Sequence, residues 1–242
     1  MNVASRAVAG DIPKANPPMR VLPFNSPLRA IPGIDRVSRS RIHPRGAVVF
    51  HEGHAARGIY VLSSGRAKVS ISSADGKKII IRVATGGDVL GLYAGMTGRP
   101  FEATAEMVEG GRVDFVSRED LLNLLGQQGF RMDLVEMFSR QFSDFVDHTR
   151  MLALSETALE KLARLILRWG QDFGERTSDG VRVRLALTQE EIAQIIGSSR
   201  ETVTRLFSAL KRRQIIGVDG DAMIIRNSVA LATLAQSASK IN

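Results

Sequence analysis

The sequence contains no cysteine. That excludes disulfides, thiolate zinc sites, Cys-ligated iron–sulfur clusters and a cysteine nucleophile. It also lacks any apolar run near the ~20 residues needed to cross a bilayer. Met1–Asp11 carries no apolar segment of the secretion-signal kind. No membrane association and a cytoplasmic location are therefore expected. Proline is scarce beyond the start of the chain: six of the eight fall in residues 1–33, among Asn, Ser and Arg. Such a composition cannot bury enough apolar surface to offset its ordering entropy, and it predicts a flexible arm over 1–33. The alternative for that arm is a contact to DNA or to a partner through its arginines.

What is present is ordinary for a globular chain. Apolar residues make up 44% and charged residues 24% of 242 positions, which excludes global disorder and allows one large or two small cores. The net charge of +8 carries less information than its size suggests. Residues 1–45 supply +6 of it, 46–154 contribute −1 and 155–242 contribute +3. Most of the excess lies outside the expected core, so a nucleic-acid partner must be argued from local pattern.

From about Arg45 to Val116 the texture is short and β-like. The apolar clusters Ala47–Phe50, Ile59–Leu62, Lys68–Ile71, Ile79–Val83, Val89–Leu92 and Val113–Val116 are separated by glycine-bearing turns. Ser64-Gly65, Asp75-Gly76, Gly86-Gly87 and Gly110-Gly111 offer the positive φ that tight reversals require. Six or more such strands predict a small barrel or jelly roll, with the unbroken Ile79-Ile80-Ile81 buried.

The period then changes to that of helices. Ser117 starts a short helix as its N-cap, and a long helix follows the Gly126–Gly129 break. In it Val135, Phe138, Phe142, Phe145, Thr149 and Leu152 repeat at alternating intervals of three and four. So narrow a stripe is what a coiled-coil seam needs, and it predicts a parallel homodimer with Thr149 as the polar register member. Leu134 and Met137 lie beside the seam and can pack the same helix on its own barrel. His148 adjoins it, as an exposed residue or an interface contact. After Ser155 the spacing of Leu159, Leu162, Ala163, Ile166 and Leu167 predicts another helix ending near Gly170, then a β-like stretch over Val181–Leu187.

The densest information lies downstream. Thr188-Gln189-Glu190-Glu191 is a capping box in which Thr188 caps and Glu191 reaches back. That helix stops at Gly197, and Ser198-Ser199-Arg200-Glu201 opens a second by the same Ser-x-x-Glu logic, which makes a helix-turn-helix. Val203, Leu206, Phe207 and Leu210 form the inward stripe of the second helix. Arg200, Glu201, Thr204, Arg205, Ser208, Lys211 and Arg212 face outward.

Arginine can bond guanine O6 and N7 with its planar fork, and a carboxylate can accept from the cytosine amino group. Glu201 stands one turn from Arg205 and could also hold that guanidinium. Its bland role is a helix cap. Thr188, Ser198 and Ser199 lie at helix starts, where hydroxyls and free N–H groups suit phosphates, and Lys211 suits a phosphate likewise. Ile215-Ile216-Gly217, Asp219-Gly220-Asp221 and Met223-Ile224-Ile225 read as a β-hairpin wing.

At this point the chain closely resembles the CRP/FNR superfamily of bacterial transcription regulators. "LTQEEIAQIIGSSRETVTRLFSALKRRQII" is similar to that family's winged helix-turn-helix, and "HPRGAVVFHEGHAARGIYVLSSGRAKVS", "DGKK" and "GGDVLGL" to its β-roll. The resemblance implies an α+β protein without enzymatic activity. Its parts are a jelly-roll effector-sensing domain over 34–127, a central dimerisation helix over 128–154 and a winged helix-turn-helix domain over 155–242. It further implies double-stranded DNA as partner, an inverted-repeat operator, and RNA polymerase as a second partner if the protein activates. By position, Arg200, Glu201 and Arg205 match the residues that read TGTGA-type half-sites.

The effector cassette departs from the family. Leu92 stands where a cyclic-AMP pocket has its ribose glutamate, and Glu102-Ala103 or Ala103-Thr104 where it has an Arg-Ser pair, with Arg99 nearby. Val146-Asp147 stands at the adenine-contacting Thr-Ser pair. Standard cyclic-AMP binding is not expected, and the effector stays unassigned. The cysteine-held cluster of the oxygen-sensing branch is excluded, and haem would have to use His43, His51, His54 or His148. Two other readings remain: a metal-dependent, cupin-like β-roll enzyme resting on His51 and His54, and a ligand-binding scaffold with a vestigial DNA domain.

Overall fold

The structure, a computed structural model, describes residues 34–155, 157–184 and 187–236. The expected arm over 1–33 lies outside the described residues. A short helix α1 (Ile34–Val37) leads into β1 (Arg39–His43), β2 (Val48–Phe50), β3 (Gly58–Leu62), β4 (Arg66–Ser72), β5 (Lys78–Thr85) and β6 (Val89–Leu90). Helix α2 (Leu92–Thr97) interrupts before β7 (Thr104–Glu109) and β8 (Gly111–Ser117). Helices α3 (Arg118–Leu124), α4 (Gln128–Leu154) and α5 (Ala158–Phe173) follow. The C-terminal part holds β9 (Glu175–Thr177), β10 (Gly180–Arg184), α6 (Gln189–Ile196), α7 (Arg200–Arg212), β11 (Ile216–Asp219), β12 (Ala222–Ile225) and α8 (Ser228–Gln236).

The first eight strands make two antiparallel sheets, ordered β1-β8-β3-β6 and β2-β7-β4-β5, which face each other as a jelly roll. Leu62, Leu90 and Val113 from one sheet meet Phe50, Ala67, Ala84, Ala105 and Met107 from the other. The alanines leave room for rings: Phe101 stacks on Phe50 at 4.0 Å, and Tyr60 lies 5.5 Å from Phe50. The outer face of the first sheet is covered by α3 and the start of α4, through Leu121, Leu124, Phe130, Leu134 and Met137. One helix thus packs on its own roll through Leu134 and Met137 while turning a second face elsewhere.

Several sequence expectations are corrected here. Leu92 opens α2 instead of ending a strand. Strands β1 and β7 had no apolar cluster to announce them; β1 is an exposed edge strand and β7 alternates. Gly65, Gly76 and Gly87 use positive φ, whereas Gly110 and Gly111 do not. Gly111 is required for packing: a Cβ there would lie 2.0 Å from the Ser64 carbonyl oxygen. Helix α5 runs through Gly170 to Phe173, and a Cβ at 170 would come 2.7 Å from the Ile225 side-chain tip, so glycine eases the approach of the helix to that strand. Its N-cap is Thr157, whose hydroxyl accepts the Glu160 N–H at 3.1 Å.

The outer face of the second sheet carries the C-terminal domain. In the β4–β5 pair the register shifts opposite Val69 and Ser70, so that one residue of β5, Ile81, is extra. A bulge re-aims the strand beyond it. Ile80 therefore faces the same way as Val83, and both pack on the C-terminal core of Leu162, Ile166, Ile192, Ile196 and Val203. Of the three expected buried isoleucines Ile80 is fully enclosed, while Ile79 and Ile81 are half-buried. Arg66 adds a hydrogen bond to the Arg184 carbonyl at 3.1 Å and lies over the Phe173 ring at 4.7 Å. Ile80→Ala is expected to cost about 2–5 kcal/mol, read as an earlier urea transition of the full chain by fluorescence of its sole tryptophan, Trp169.

Candidate nucleic-acid interface

The C-terminal sheet, β11-β12-β10-β9, packs against α5 and α7 and ends in the β11–β12 hairpin, the expected wing, whose turn places Gly220 at φ 59°. Arg182 braces the wing through Asp219 at 2.6 Å. Helix α6 opens on a complete capping box: the Thr188 hydroxyl accepts the Glu191 N–H at 3.2 Å, and Glu191 Oε2 accepts the Thr188 N–H at 2.8 Å. Thr188 also donates its hydroxyl to that same oxygen at 3.0 Å, so this side chain is largely committed within the cap.

The turn to α7 rests on Gly197, at φ 63°. Its N–H and that of Ser198 both reach the Ala193 carbonyl, which closes α6 tightly and starts α7 after two residues. The cap of α7 differs from the Ser-x-x-Glu expectation. Ser199 is the N-cap and accepts the Thr202 N–H at 3.2 Å, which makes Thr202, not Glu201, the third residue of the helix.

Val203, Phe207 and Leu210 are buried against α6 and the sheet, with Leu206 half-buried beside them. The opposite face, Arg200, Glu201, Thr204, Arg205, Ser208, Lys211 and Arg212, is exposed along its whole length. Ser199 is exposed at its head and Ser198 half-buried. The anticipated Glu201–Arg205 pair does not form; Arg205 donates to Thr202 Oγ1 at 3.2 Å instead.

Hydrogen bonds from its own N–H and from Ser199, with the charges of Arg200 and Arg205, hold the Glu201 carboxyl below its ordinary value. It remains an ionised acceptor at neutral pH. Gln189, overlooked in the sequence, joins the helices: its Oε1 accepts from Thr204 Oγ1 at 2.5 Å. No local spacing signals a contact across 15 positions.

Helix α4 presents Val135, Phe138, Phe142 and Phe145 more than half exposed on one edge. Thr149 is exposed, with its hydroxyl bonded back to the Phe145 carbonyl at 2.8 Å. Leu152, the last member of the stripe, is half-buried and packs on the C-terminal core. His148 is likewise half-buried; burial and the adjacent Arg168 charge push its imidazole pKa down.

In the roll, Leu92 and Ala103 are buried and Glu102 is exposed. Gly91, at the head of α2, has no Cβ because the Phe101 ring lies 2.5 Å from where one would be. His51 and His54 share an exposed turn 5.1 Å apart, and Glu52 between them accepts the Ser72 N–H at 3.2 Å. Among the described residues no group of three or more His, Cys, Asp or Glu could hold a metal ion, and no helix is long and apolar enough to cross a membrane.

A jelly roll, a long helix with an exposed apolar edge and a winged helix-turn-helix with a basic outward face together define a two-domain DNA-binding regulator. The cyclic nucleotide-binding domain family matches residues 40–128, and the Crp-like helix-turn-helix domain family matches residues 160–234. The chain is 27% identical over 194 residues to a CRP-like cAMP-activated global transcriptional regulator of Mycobacterium tuberculosis, covering 80% of this chain and 86% of that one. It is 28% identical over 217 residues to the transcriptional activator protein Anr of Pseudomonas protegens, covering 88% of each. In fold it is similar to FixK2 from Bradyrhizobium japonicum (TM-score 0.72, 24% identity, 82% of this chain and 97% of that one). It is also similar to a CooA mutant from Carboxydothermus hydrogenoformans (TM-score 0.75, 19% identity, 90% and 98%). The chain belongs to the CRP/FNR superfamily of transcription regulators, and the cupin-like enzyme reading falls with that membership.

Gly197→Ala is expected to cost about 1–2 kcal/mol, because an L side chain is strained in the left-handed region. Chemical unfolding measures it, and the new methyl meets Leu152 only at ordinary contact, 3.5 Å.

Proposed function

We propose that the protein is a homodimeric, cytoplasmic regulator that reads an inverted-repeat operator with TGTGA-like half-sites, and that it does so without cyclic AMP. The observation that carries this reading is the outward face of α7: two arginines and one ionised carboxylate, exposed near the head of a helix whose opposite side is locked in a core. Arg200 and Arg205 have the fork that matches guanine, Glu201 the acceptor that matches the cytosine amino group. Ser198, Ser199 and Lys211 supply the sequence-blind phosphate contacts, whereas Thr188, expected among them, is held within its own cap.

Dimerisation is supported by the apolar edge of α4, whose heptad spacing fits a second copy of the same helix. Two-fold symmetry then sets the two half-sites about one DNA turn apart. RNA polymerase is the further partner if the outcome is activation.

The reading without cyclic AMP is supported by the side chains at the positions that match the family's nucleotide pocket. A leucine side chain cannot bond a ribose hydroxyl, a glutamate repels a cyclic phosphate, and the Phe101 ring fills the space under Gly91. Haem is disfavoured by the scatter of the imidazoles: His43 is on β1, His51 and His54 on one turn, and His148 on α4.

Selection of duplexes from a random pool, with no nucleotide added, is expected to return an inverted repeat; a pool that returns none contradicts the reading. On the selected site Arg205→Ala should lose ~1–3 kcal/mol and relax choice at one base pair of each half-site. Lys211→Ala should weaken all sequences alike. Phe142→Asp is expected to convert a dimer to a monomer in sedimentation equilibrium, by placing a charge on the seam of each helix.

A further inference from the structure

We propose that Lys68, a residue of the roll, is a positioning residue for operator recognition: it holds Glu191, the carboxylate that caps α6, and so fixes the reading head on the sensor domain. This rests on the operator-binding reading above and adds to it a part for a residue remote from the DNA face.

The Glu191 carboxylate is divided between two domains. Oε2 closes the cap on Thr188, and Oε1 receives the Lys68 ammonium at 2.8 Å. Lys68 is held from its own side by Glu106 at 3.0 Å, directly opposite on β7. An ordinary capping box is local and lies in water. Here the lysine is 9% exposed and the two partners of the tie stand 123 positions apart.

Alternation along β4 puts Arg66 and Lys68 on the same face. Arg66 grips the C-terminal domain at Arg184 and Phe173, whereas Lys68 reaches the helix-turn-helix itself. Burial alone would push the lysine's pKa down and the glutamate's up. The pairing outweighs it in both, with Lys68 raised by Glu191 and Glu106, and Glu191 lowered by Lys68 and the Thr188 N–H.

A buried ion pair adds little net stability compared with an apolar contact, yet losing one partner leaves a buried charge uncompensated. Such a pair selects one arrangement over its neighbours. The consequence reaches the DNA face by short steps: α6 is joined to α7 by the Gly197 turn and the Gln189–Thr204 bond, so a tilt of α6 tilts the recognition helix. A dimer that must place two such helices about one DNA turn apart is sensitive to that tilt.

The test compares Lys68→Met, Lys68→Arg and the full wild-type chain on the selected repeat and on a random duplex. Lys68→Met is expected to weaken binding to the repeat by about tenfold. Its binding to random duplex should change by less than about twofold, since a phosphate contact is not lost. Lys68→Arg should restore most of the loss.

The sole tryptophan gives a readout that needs no DNA. Trp169 shares a small cavity with Arg66, Val83 and Val108 of the roll. Its acrylamide quenching should rise in Lys68→Met and return in Lys68→Arg. If Lys68→Met does not fold, Glu191→Gln, whose amide oxygen can still cap, must give the same pattern. Unchanged operator affinity and unchanged quenching overturn the proposal. So do equal losses on both duplexes, or an arginine that fails to rescue. If the wild type selects no repeat, the operator reading fails, while the quenching still tells whether Lys68 holds the domains together.

Discussion

The molecule depends on how a helix-turn-helix is fastened to a sheet. The β2-β7-β4-β5 sheet packs on the roll's own interior with one face and, through Ile80 and Val83, on the C-terminal core with the other. A single extra residue in β5 makes this possible, because it brings Ile80 into line with Val83 beneath α6. Around that apolar contact Lys68 is paired with Glu191 and Glu106, and Arg66 with the Arg184 carbonyl, and loss of one partner of the buried pair would leave a charge uncompensated. A domain held this way has a direction as well as an attachment, and direction is what a sequence reader must have.

Helix α4 serves two masters through two faces. Phe130, Leu134 and Met137 are buried on the roll, while Val135, Phe138 and Phe142 stand half-exposed one residue further round. At its far end Met151 and Leu152 enter the C-terminal core. Roll, apolar edge and reading head are thus mounted on one rod of 27 residues. Any movement of the rod against the roll is carried to the other two. The interior of the roll packs the rings of Phe50, Tyr60 and Phe101 among aliphatic side chains.

Much of this was legible beforehand. The Thr188–Glu191 box, the Gly197 turn, the outward side chains of α7 and the hairpin wing were all visible, as were most strands of the roll and the two faces of α4. Each is encoded by neighbours within a few residues: caps by hydroxyl and carboxylate three apart, helices and strands by the period of apolar positions. Where the sequence reading differs, tertiary context often decided. Strand β1 has no apolar alternation because it is an exposed edge, and α5 continues through Gly170, which lies against Ile225 of β12. Ser199 took the cap that the Ser-x-x-Glu spacing had assigned to Ser198.

What the sequence by itself determined was the inventory: a β-roll, a long two-faced helix, and a capped pair of short helices with a basic face. What only the tertiary structure decided was the set of partners. Glu191 is shared with Lys68, and Gln189 with Thr204. Ile80 belongs to the core of a domain that begins more than seventy residues later. The reason is physical. Periodicity and capping are properties of the local backbone, whereas pairing of buried charges and the aim of a bulged strand exist only once distant segments have met.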